Sequence, residues 1–306
     1  MGISASRRPP FTRYPIDVLC LIDTSLSPER FAVLQRALVT LRSHLQERDR
    51  LSVCTFTSVQ GTVHNFKNMT DATKHLSEEA VRSLPLDNRQ RSVSDGFRHA
   101  YSLLNNRNAR FADVCFLVIT DGLMDVGSAE QLELLPPLPR VSTSVIVFDD
   151  THNSAMIQSV VERIGATLIS VGASGNLGEA LGGALGASMN IVQWSSTLQL
   201  ALMANIQLRR VHCGEQKCVV VNNVANVDML PWVDGETRHV LITVKLPQVT
   251  QELAQELFRA SLATTNRNGE VTAQDVPCSI KRVSGEVTLP RNVEVDAQVW
   301  LCRIFK

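Results

Sequence analysis

Several features that the sequence lacks exclude whole classes of protein. No apolar run approaches the ~20 residues of a membrane-spanning helix, so we expect no membrane insertion. The 30 Lys and Arg balance the 30 Asp and Glu, which gives no excess of positive charge to attract nucleic acid. The spacings of a phosphate-binding loop, a zinc-protease helix and a serine-hydrolase elbow are also missing. These absences argue against a membrane protein and a nucleic-acid-binding protein, and we expect that the chain is not an enzyme.

The cysteines and the amino-terminal segment indicate a reducing compartment. Cys20, Cys54 and Cys115 lie inside apolar runs that resemble core strands, which is where cytosolic proteins place reduced cysteines. Residues 1–15 are polar and contain no apolar stretch of a secretory signal. A cytoplasmic location is the expectation.

Strands and helices alternate over the first two thirds of the chain. The apolar run Ile16–Ile22 predicts a strand, and a polar loop separates it from a helix in which Ser27 suits the cap and Pro28 the first turn. Further strands are predicted at 51–56, 114–119, 141–148 and 167–171, and further helices at 93–104, 155–164 and 177–185. This alternation predicts a doubly wound, mainly parallel α/β sheet of Rossmann-like type over residues 15–192, after an amino-terminal extension of residues 1–14.

The pattern changes after about residue 190. Strand-like runs at 198–211, 218–221, 240–244, 258–264 and 279–283 now follow one another without helices. Turn sequences at 214–217, 234–236 and 266–270 are typical of hairpins. We therefore expect an antiparallel β-sandwich domain over residues 193–290. The apolar spacing near the end predicts a short carboxyl-terminal helix over residues 291–306.

Polar oxygen-bearing residues follow two of the predicted parallel strands. Asp23, Ser25 and Ser27 come directly after the first strand, and Asp121 follows the strand 114–119. Ligands of open α/β sheets bind outside the carboxyl ends of the strands, so both groups belong to the same edge. Mg²⁺ takes about six oxygen ligands, of which only one or two are carboxylates, and keeps several waters. These residues predict a site for Mg²⁺, or for Mn²⁺ or Ca²⁺, with a position free for an acidic group from a partner.

The same residues resemble the metal-ion-dependent adhesion site (MIDAS) of von Willebrand factor A (VWA) domains. The resemblance covers roughly residues 14–190 and includes the Asp-x-Ser-x-Ser motif and the Ile-Thr-Asp-Gly turn. The family also uses a Thr five residues before a helix-starting Gly, but counting back from Gly96 gives Arg91. Two alternatives remain open. Ser92 coordinates the metal while Arg91 points outward onto the rim that binds the partner, or the Arg91 guanidinium pairs with the two carboxylates and replaces the metal.

The second half carries a looser resemblance. Residues 233–247 are similar to the β-domain that follows VWA domains in a group of intracellular proteins, some of which are ubiquitin ligases with a RING finger. No C-x₂-C pair is present here, so the sequence contains no RING or other zinc finger.

Together, the two resemblances imply an intracellular scaffold that binds an acidic side chain of a partner protein at its metal site. One alternative is a structural subunit of a larger assembly with a degenerate, metal-free site. A second is the substrate-recognition part of a ubiquitin-ligase-like assembly whose RING is on another chain. A weaker third is a hydrolase that uses Asp23 and Asp121 with Mg²⁺, which the lack of a general base near these loops disfavours.

Overall fold

The chain divides into two compact units. They are Phe11–Asn190 and a second unit made of Met1–Pro10 together with Ile191–Lys306. The structure is a computed structural model, and it describes residues 2–4, 14–56, 61–84, 86, 93–107, 113–122, 140–147, 154–172, 175–213, 217–229, 231–266, 270–283, 292, 293, 295 and 297. Within these ranges, no helix is both long enough and apolar enough to cross a membrane. The first strand, β1 (Gly2–Ser4), belongs to the second unit.

A six-stranded sheet forms the centre of the first unit. In chain order its strands are β2 (Ile16–Ile22), β3 (Arg50–Thr55), β4 (Thr62–Asn68), β5 (Asp113–Thr120), β6 (Val141–Val147) and β7 (Thr167–Ser170). Their spatial order is β4-β3-β2-β5-β6-β7, and every pair is parallel except β3 with β4. The predicted mainly parallel sheet is therefore confirmed.

Helices cover both faces of this sheet. In chain order they are α1 (Pro28–Ser43), α2 (Asp71–Arg82), α3 (Val93–Asn106), α4 (Ser154–Ile164) and α5 (Leu177–Met189). One apolar cluster joins α1 and α5 to the sheet, and a second cluster joins α3 and α4 to it. This is the doubly wound arrangement that the alternating pattern predicted. Ser27 caps α1 and Pro28 opens it, also as predicted.

The two central strands are short apolar runs because both of their faces are covered. All residues of β2 and of β5 are buried. Their parallel register pairs Ile22 with Ile119, so the two strands end side by side. This register fixes the position of the polar residues that follow each strand.

Two elements, β4 and α2, were not predicted from the sequence. β4 is an edge strand with a mixed polar sequence, and its burial is shallow. α2 buries only Ser77 and Val81, so its apolar stripe is too narrow to stand out from the polar residues around it.

The second unit is antiparallel. Its strands are β8 (Ile191–Leu202), β9 (Gln207–His212), β10 (Lys217–Val221), β11 (Val224–Met229), β12 (Trp232–Val233), β13 (Thr237–His239), β14 (Leu241–Lys245), β15 (Leu253–Asn266) and β16 (Val271–Arg282). One sheet has the order β10-β11-β8-β15-β16, with β12 also pairing with β8. The ladders β9–β14 and β1–β13 are separate, and residues of β9 and β14 share one apolar core with the larger sheet. This arrangement agrees with the expected β-sandwich.

Several details of the second unit differ from the prediction. The run 198–211 is two strands, β8 and β9, because a turn in which Ile206 N donates to Met203 O at 2.9 Å interrupts it. The hairpin predicted at 214–217 is wrong, since β9 pairs with β14 and β10 with β11. The hairpin predicted at 234–236 is also wrong, since β12 pairs with β8 and β13 with β1. The hairpin at 266–270 is confirmed by the pairing of β15 with β16.

One hairpin was missed, and one expected helix falls outside the described part. Asn222 and Asn223 connect β10 to β11 with φ values of 48° and 67°, the left-handed conformation that a two-residue type I′ turn requires. Asn tolerates this conformation better than most residues other than Gly. The helix expected over residues 291–306 lies outside the described residues, apart from 292, 293, 295 and 297.

Candidate functional site

Asp23 begins the polar loop at the end of β2. Its backbone N donates to Ile119 O at 2.9 Å, so the ladder between β2 and β5 extends one residue beyond the strand. On the other side of β2, Phe56 N donates to Ile22 O at 3.0 Å. Asp23 is 2% exposed. Its carboxylate is therefore buried at the carboxyl edge of the sheet, between the ends of β3 and β5.

Hydrogen bonds from neighbouring groups fix the orientation of the Asp23 carboxylate. Its Oδ1 accepts from the backbone N of Ser25 at 3.0 Å and from Ser25 Oγ at 2.5 Å. Its Oδ2 accepts from Thr120 Oγ1 at 3.0 Å. Two of these donors come from its own loop and one from β5. The carboxylate is thus held in place by both strand ends.

Ser25 donates its hydroxyl hydrogen to Asp23. A hydroxyl group has one hydrogen and two lone pairs. A hydroxyl oxygen of this kind is a ligand that a hard cation accepts, and the bond to Asp23 fixes where the Ser25 oxygen lies.

Ser27 has a structural role that the sequence predicted. Its Oγ accepts from Arg30 N at 3.4 Å and so caps α1. The side chain is exposed, and the long capping bond leaves a lone pair of the hydroxyl oxygen for another partner. The position of Ser27 is therefore compatible with its predicted role as a ligand, which stays a prediction.

Asp121 follows β5 directly and is 6% exposed. The next residue, Gly122, has φ of 82°, a left-handed conformation that costs little only for Gly. This turn brings Gly122 N to 3.0 Å from Thr120 Oγ1, to which it donates. Asp121 therefore lies within a tight turn at the end of a strand that pairs with β2.

Thr120 connects the two carboxylate loops, a role that was not predicted from the sequence. Its hydroxyl donates to Asp23 and accepts from Gly122, and the residue is 1% exposed. The register of β2 with β5 places Thr120 beside Asp23, one residue beyond the pair Ile22 and Ile119. Only the adjacency of these strands could have revealed this role, because the two residues are far apart in the sequence.

The oxygen atoms at this edge fit a hard divalent cation. Within the described ranges, no group of three or more His, Cys, Asp or Glu is placed to hold a metal. A Mg²⁺ site needs no such group, because one or two carboxylates with hydroxyl groups and water suffice. Thr24 Oγ1 in the same loop is buried and has no hydrogen-bond partner among the described residues. A buried hydroxyl without a partner is costly, so this loop has unused capacity for a water molecule or an ion.

The third loop of the predicted site, which would carry Arg91 and Ser92, comes before α3 in the chain. Ser92 and Arg91 lie outside the described residues, so their predicted roles remain predictions. The helix that follows them is described. A Cβ on Gly96 would lie 2.6 Å from Phe56 Cδ1 and 3.1 Å from Phe56 Cα, so only Gly allows this close approach. The first turn of α3 is therefore tightly packed against the residue that follows β3, at the same carboxyl edge.

Ion pairs, not an open site, occupy the amino edge of the sheet. Arg50 contacts both oxygens of buried Asp17, at 2.7 and 2.5 Å. Arg140 donates twice to Asp113 Oδ1, at 2.9 and 2.6 Å. Burial lowers the pKa of the neighbouring Arg107, while the charge of Asp17 raises it. The charges at this edge hold the ends of strands together, so the candidate site is at the opposite edge.

No protein-family model matches the sequence, and no curated protein matches it. Solved structures do match. A von Willebrand factor type A protein from Catenulispora acidiphila superposes with a TM-score of 0.68 at 15% identity, over 90% of this chain and 67% of that one. VWA2, the ArnB paralogue of Sulfolobus acidocaldarius, gives 0.48 at 12% identity, over 100% and 73%. The VWA domain of SpRpn10 gives 0.44 at 16% identity, over 55% and 94%.

The first of these similarities establishes the fold. Of the three TM-scores, only this one is above 0.5. At 15% identity, the similarity shows a shared fold and nothing about function. Together with the sheet order and the covering helices, it shows that the first unit has the VWA fold. The VWA fold that the sequence resemblance predicted is confirmed.

Proposed function

We propose that the first unit is a protein-binding module that uses a divalent cation at the carboxyl edge of its sheet. Asp23, Ser25, Ser27 and Asp121 would hold Mg²⁺, or Mn²⁺ or Ca²⁺ in its place, with Ser92 as a further ligand. An acidic side chain of a partner protein would complete the coordination. In this proposal the protein is a cytoplasmic scaffold without enzymatic activity.

One observation carries the proposal: two buried carboxylates follow adjacent, paired strands at the edge where ligands of such sheets bind. Burying a carboxylate is costly unless it is paired, hydrogen-bonded or bound to a metal. The hydroxyl of Ser25 is oriented by its hydrogen bond to Asp23. These residues would bind and orient the cation, and the cation would supply an electrophilic position that an acidic group could occupy.

A second candidate function has support of its own. Both oxygens of Asp23 already accept hydrogen bonds from Ser25 and Thr120, so the loop is held in place without a cation. This favours a structural subunit with a metal-free site, bound into a larger assembly through other surfaces. The two functions differ in whether partner binding depends on a metal.

Affinity capture separates these functions. The immobilised full chain would be incubated with cell extract in Mg²⁺ or in EDTA, and retained proteins identified by mass spectrometry. Asp23→Ala removes the central carboxylate, while Asp71→Ala, in the exposed first turn of α2, removes an equal charge elsewhere. We expect partners that are lost with EDTA and with Asp23→Ala but kept by Asp71→Ala. The same partners in all conditions would contradict the metal-dependent proposal and support the structural subunit.

A further inference from the structure

We propose that strand β10 is a docking edge for an extended peptide segment of a partner protein, which adds to the sheet as an antiparallel strand. The segment would carry apolar residues opposite Cys218–Val221 and an acidic residue opposite Lys217. This site is in the second unit, and it does not depend on the metal site proposed above.

β10 lies at one end of its sheet. It pairs with β11 on one side, and no other described strand pairs with it. The side of β10 that faces away from β11 is therefore an edge among the described strands, and an edge of this kind can accept a further strand. An added peptide would pair with them through its main chain, which gives affinity largely independent of sequence.

Three consecutive valines on β10 are exposed. Val219, Val220 and Val221 have 47%, 52% and 55% of their surface exposed. Successive side chains of a strand point to opposite faces, so both faces of the sheet are apolar and open at this edge.

The core of the second unit is also incomplete at this edge. Val220 lies opposite Ala225 of β11, and Cys218 lies opposite Val227. Both β11 residues are fully buried, whereas Val220 is half exposed and Cys218 is only partly buried. The apolar layer thus continues past the last strand and ends uncovered. A strand added beside β10 with apolar side chains on this face would extend the core.

The opposite edge of the same sheet is protected against such pairing. β16 carries Pro277, which cannot donate a backbone hydrogen bond, and the charged residues Asp275, Lys281 and Arg282. Proline and charges on an edge strand are the usual means of preventing unwanted pairing. β10 has a single charge at its first residue, Lys217, and no proline. The two edges of one sheet therefore differ in whether they allow a further strand.

The length and the charge of β10 indicate the kind of occupant. Five residues span only about 17 Å. Pairing of two copies through this strand alone would bury less than the roughly 1,200 Å² of the smallest stable interfaces, whereas a peptide strand needs little more than its main chain. Lys217 shares the outer face with Val219 and Val221. It lies opposite Asp228 of β11 but forms no ion pair with it, so within the described part of the chain Lys217 takes part in no ion pair. An acidic residue beside it would form a favourable cross-strand pair.

Fluorescence anisotropy with a labelled peptide tests this proposal. The probe is fluorescein-Gly-Val-Val-Ile-Val-Glu-Ser-amide, whose Glu faces Lys217 when the strands are antiparallel, and a second probe carries Lys in place of Glu. We expect the Glu probe to bind the full chain, and Val219→Lys to weaken it at least tenfold. The matched control Val276→Lys changes a 45%-exposed valine on the protected edge and should leave binding unchanged. Lys217→Glu should reverse the preference between the two probes.

Three results would overturn the proposal. Binding that Val219→Lys and Val276→Lys weaken equally would mean that the peptide does not use β10. No saturable binding at millimolar protein would mean that the edge does not accept a strand. A wild-type dimer in sedimentation that Val219→Lys dissociates would identify a second copy as the occupant. Peptide binding should be the same in Mg²⁺ and in EDTA, so a failure of this proposal is distinct from a failure of the metal-dependent function. Equal melting temperatures of the wild type and the variants would show that the variants fold.

Discussion

Replacing Thr120 by valine tests the link between the two carboxylate loops. Thr120 and Val are similar in volume and both β-branched, so β5 should form normally. The substitution removes only the hydroxyl that donates to Asp23 and accepts from Gly122.

The size of the effect follows from these two hydrogen bonds. A hydrogen bond to a charged group contributes about 1.5–3 kcal/mol, and a buried donor left without its acceptor costs about 1–3 kcal/mol. Both apply here, because Thr120 and Asp23 are almost fully buried. We therefore expect Thr120→Val to lower the free energy of unfolding of the first unit by about 3 kcal/mol. For a unit of this size the melting temperature would fall by about 6–12 °C.

Thermal and urea unfolding in EDTA, followed by circular dichroism, measures this loss without a contribution from bound metal. Thr120→Ser keeps the hydroxyl and loses only a methyl group, so it should stay within about 1.5 kcal/mol of the wild type. If Thr120→Val were as stable as Thr120→Ser, the hydroxyl would not hold the two loops together and the reasoning would be refuted.

Three further predictions concern other parts of the first unit. Burial lowers the pKa of His64, so the stability that it contributes is present above the unfolded pKa of about 6.5 and is lost as the pH falls below that value. The free energy of unfolding in urea should therefore be lower at pH 5.5 than at pH 7.5, and His64→Gln should reduce this decrease; an equal decrease in both proteins would exclude His64 as the cause. Asp17→Asn should lower the free energy of unfolding by about 3–5 kcal/mol because it leaves Arg50 without its buried partner. Arg98→Gln, at an exposed ion pair, should lower it by at most about 1 kcal/mol, and similar losses in the two variants would contradict the prediction. Arg91→Thr should bind Mg²⁺ with the affinity of the wild type if Arg91 points outward onto the rim, and tighter binding by calorimetry would show instead that the guanidinium occupies the site.

The sequence predicts the first unit well because its strong patterns have a local cause. β2 and β5 are short apolar runs because each is buried on both faces, and α1 has a clear cap and a wide apolar stripe. The positions of Asp23 and Asp121 then follow from one rule about parallel sheets. Elements with shallow burial, such as β4 and α2, leave no such pattern and were missed.

Contacts between distant residues could not be predicted in this way. The role of Thr120 depends on the register of β2 with β5, which no local pattern contains. The pairing of β10 with β11 was missed because an Asn-Asn turn is a weaker hairpin pattern than Asn-Gly, while the glycine at 214 drew attention to the wrong position. In the second unit, local turn chemistry alone did not determine which strands pair.

Binding of Mg²⁺ to the isolated chain tests the central claim most directly. Calorimetric titration would compare the wild type with Asp121→Asn, which keeps the shape of the side chain and removes its charge, and melting temperatures would be measured in parallel. We expect one binding site in the wild type and a rise in its melting temperature with millimolar Mg²⁺, because a ligand of the folded state stabilises it. Asp121→Asn should lose both effects. A wild-type protein that shows neither heat of binding nor a shift in melting temperature with Mg²⁺, Mn²⁺ or Ca²⁺ would contradict the proposed metal-dependent function.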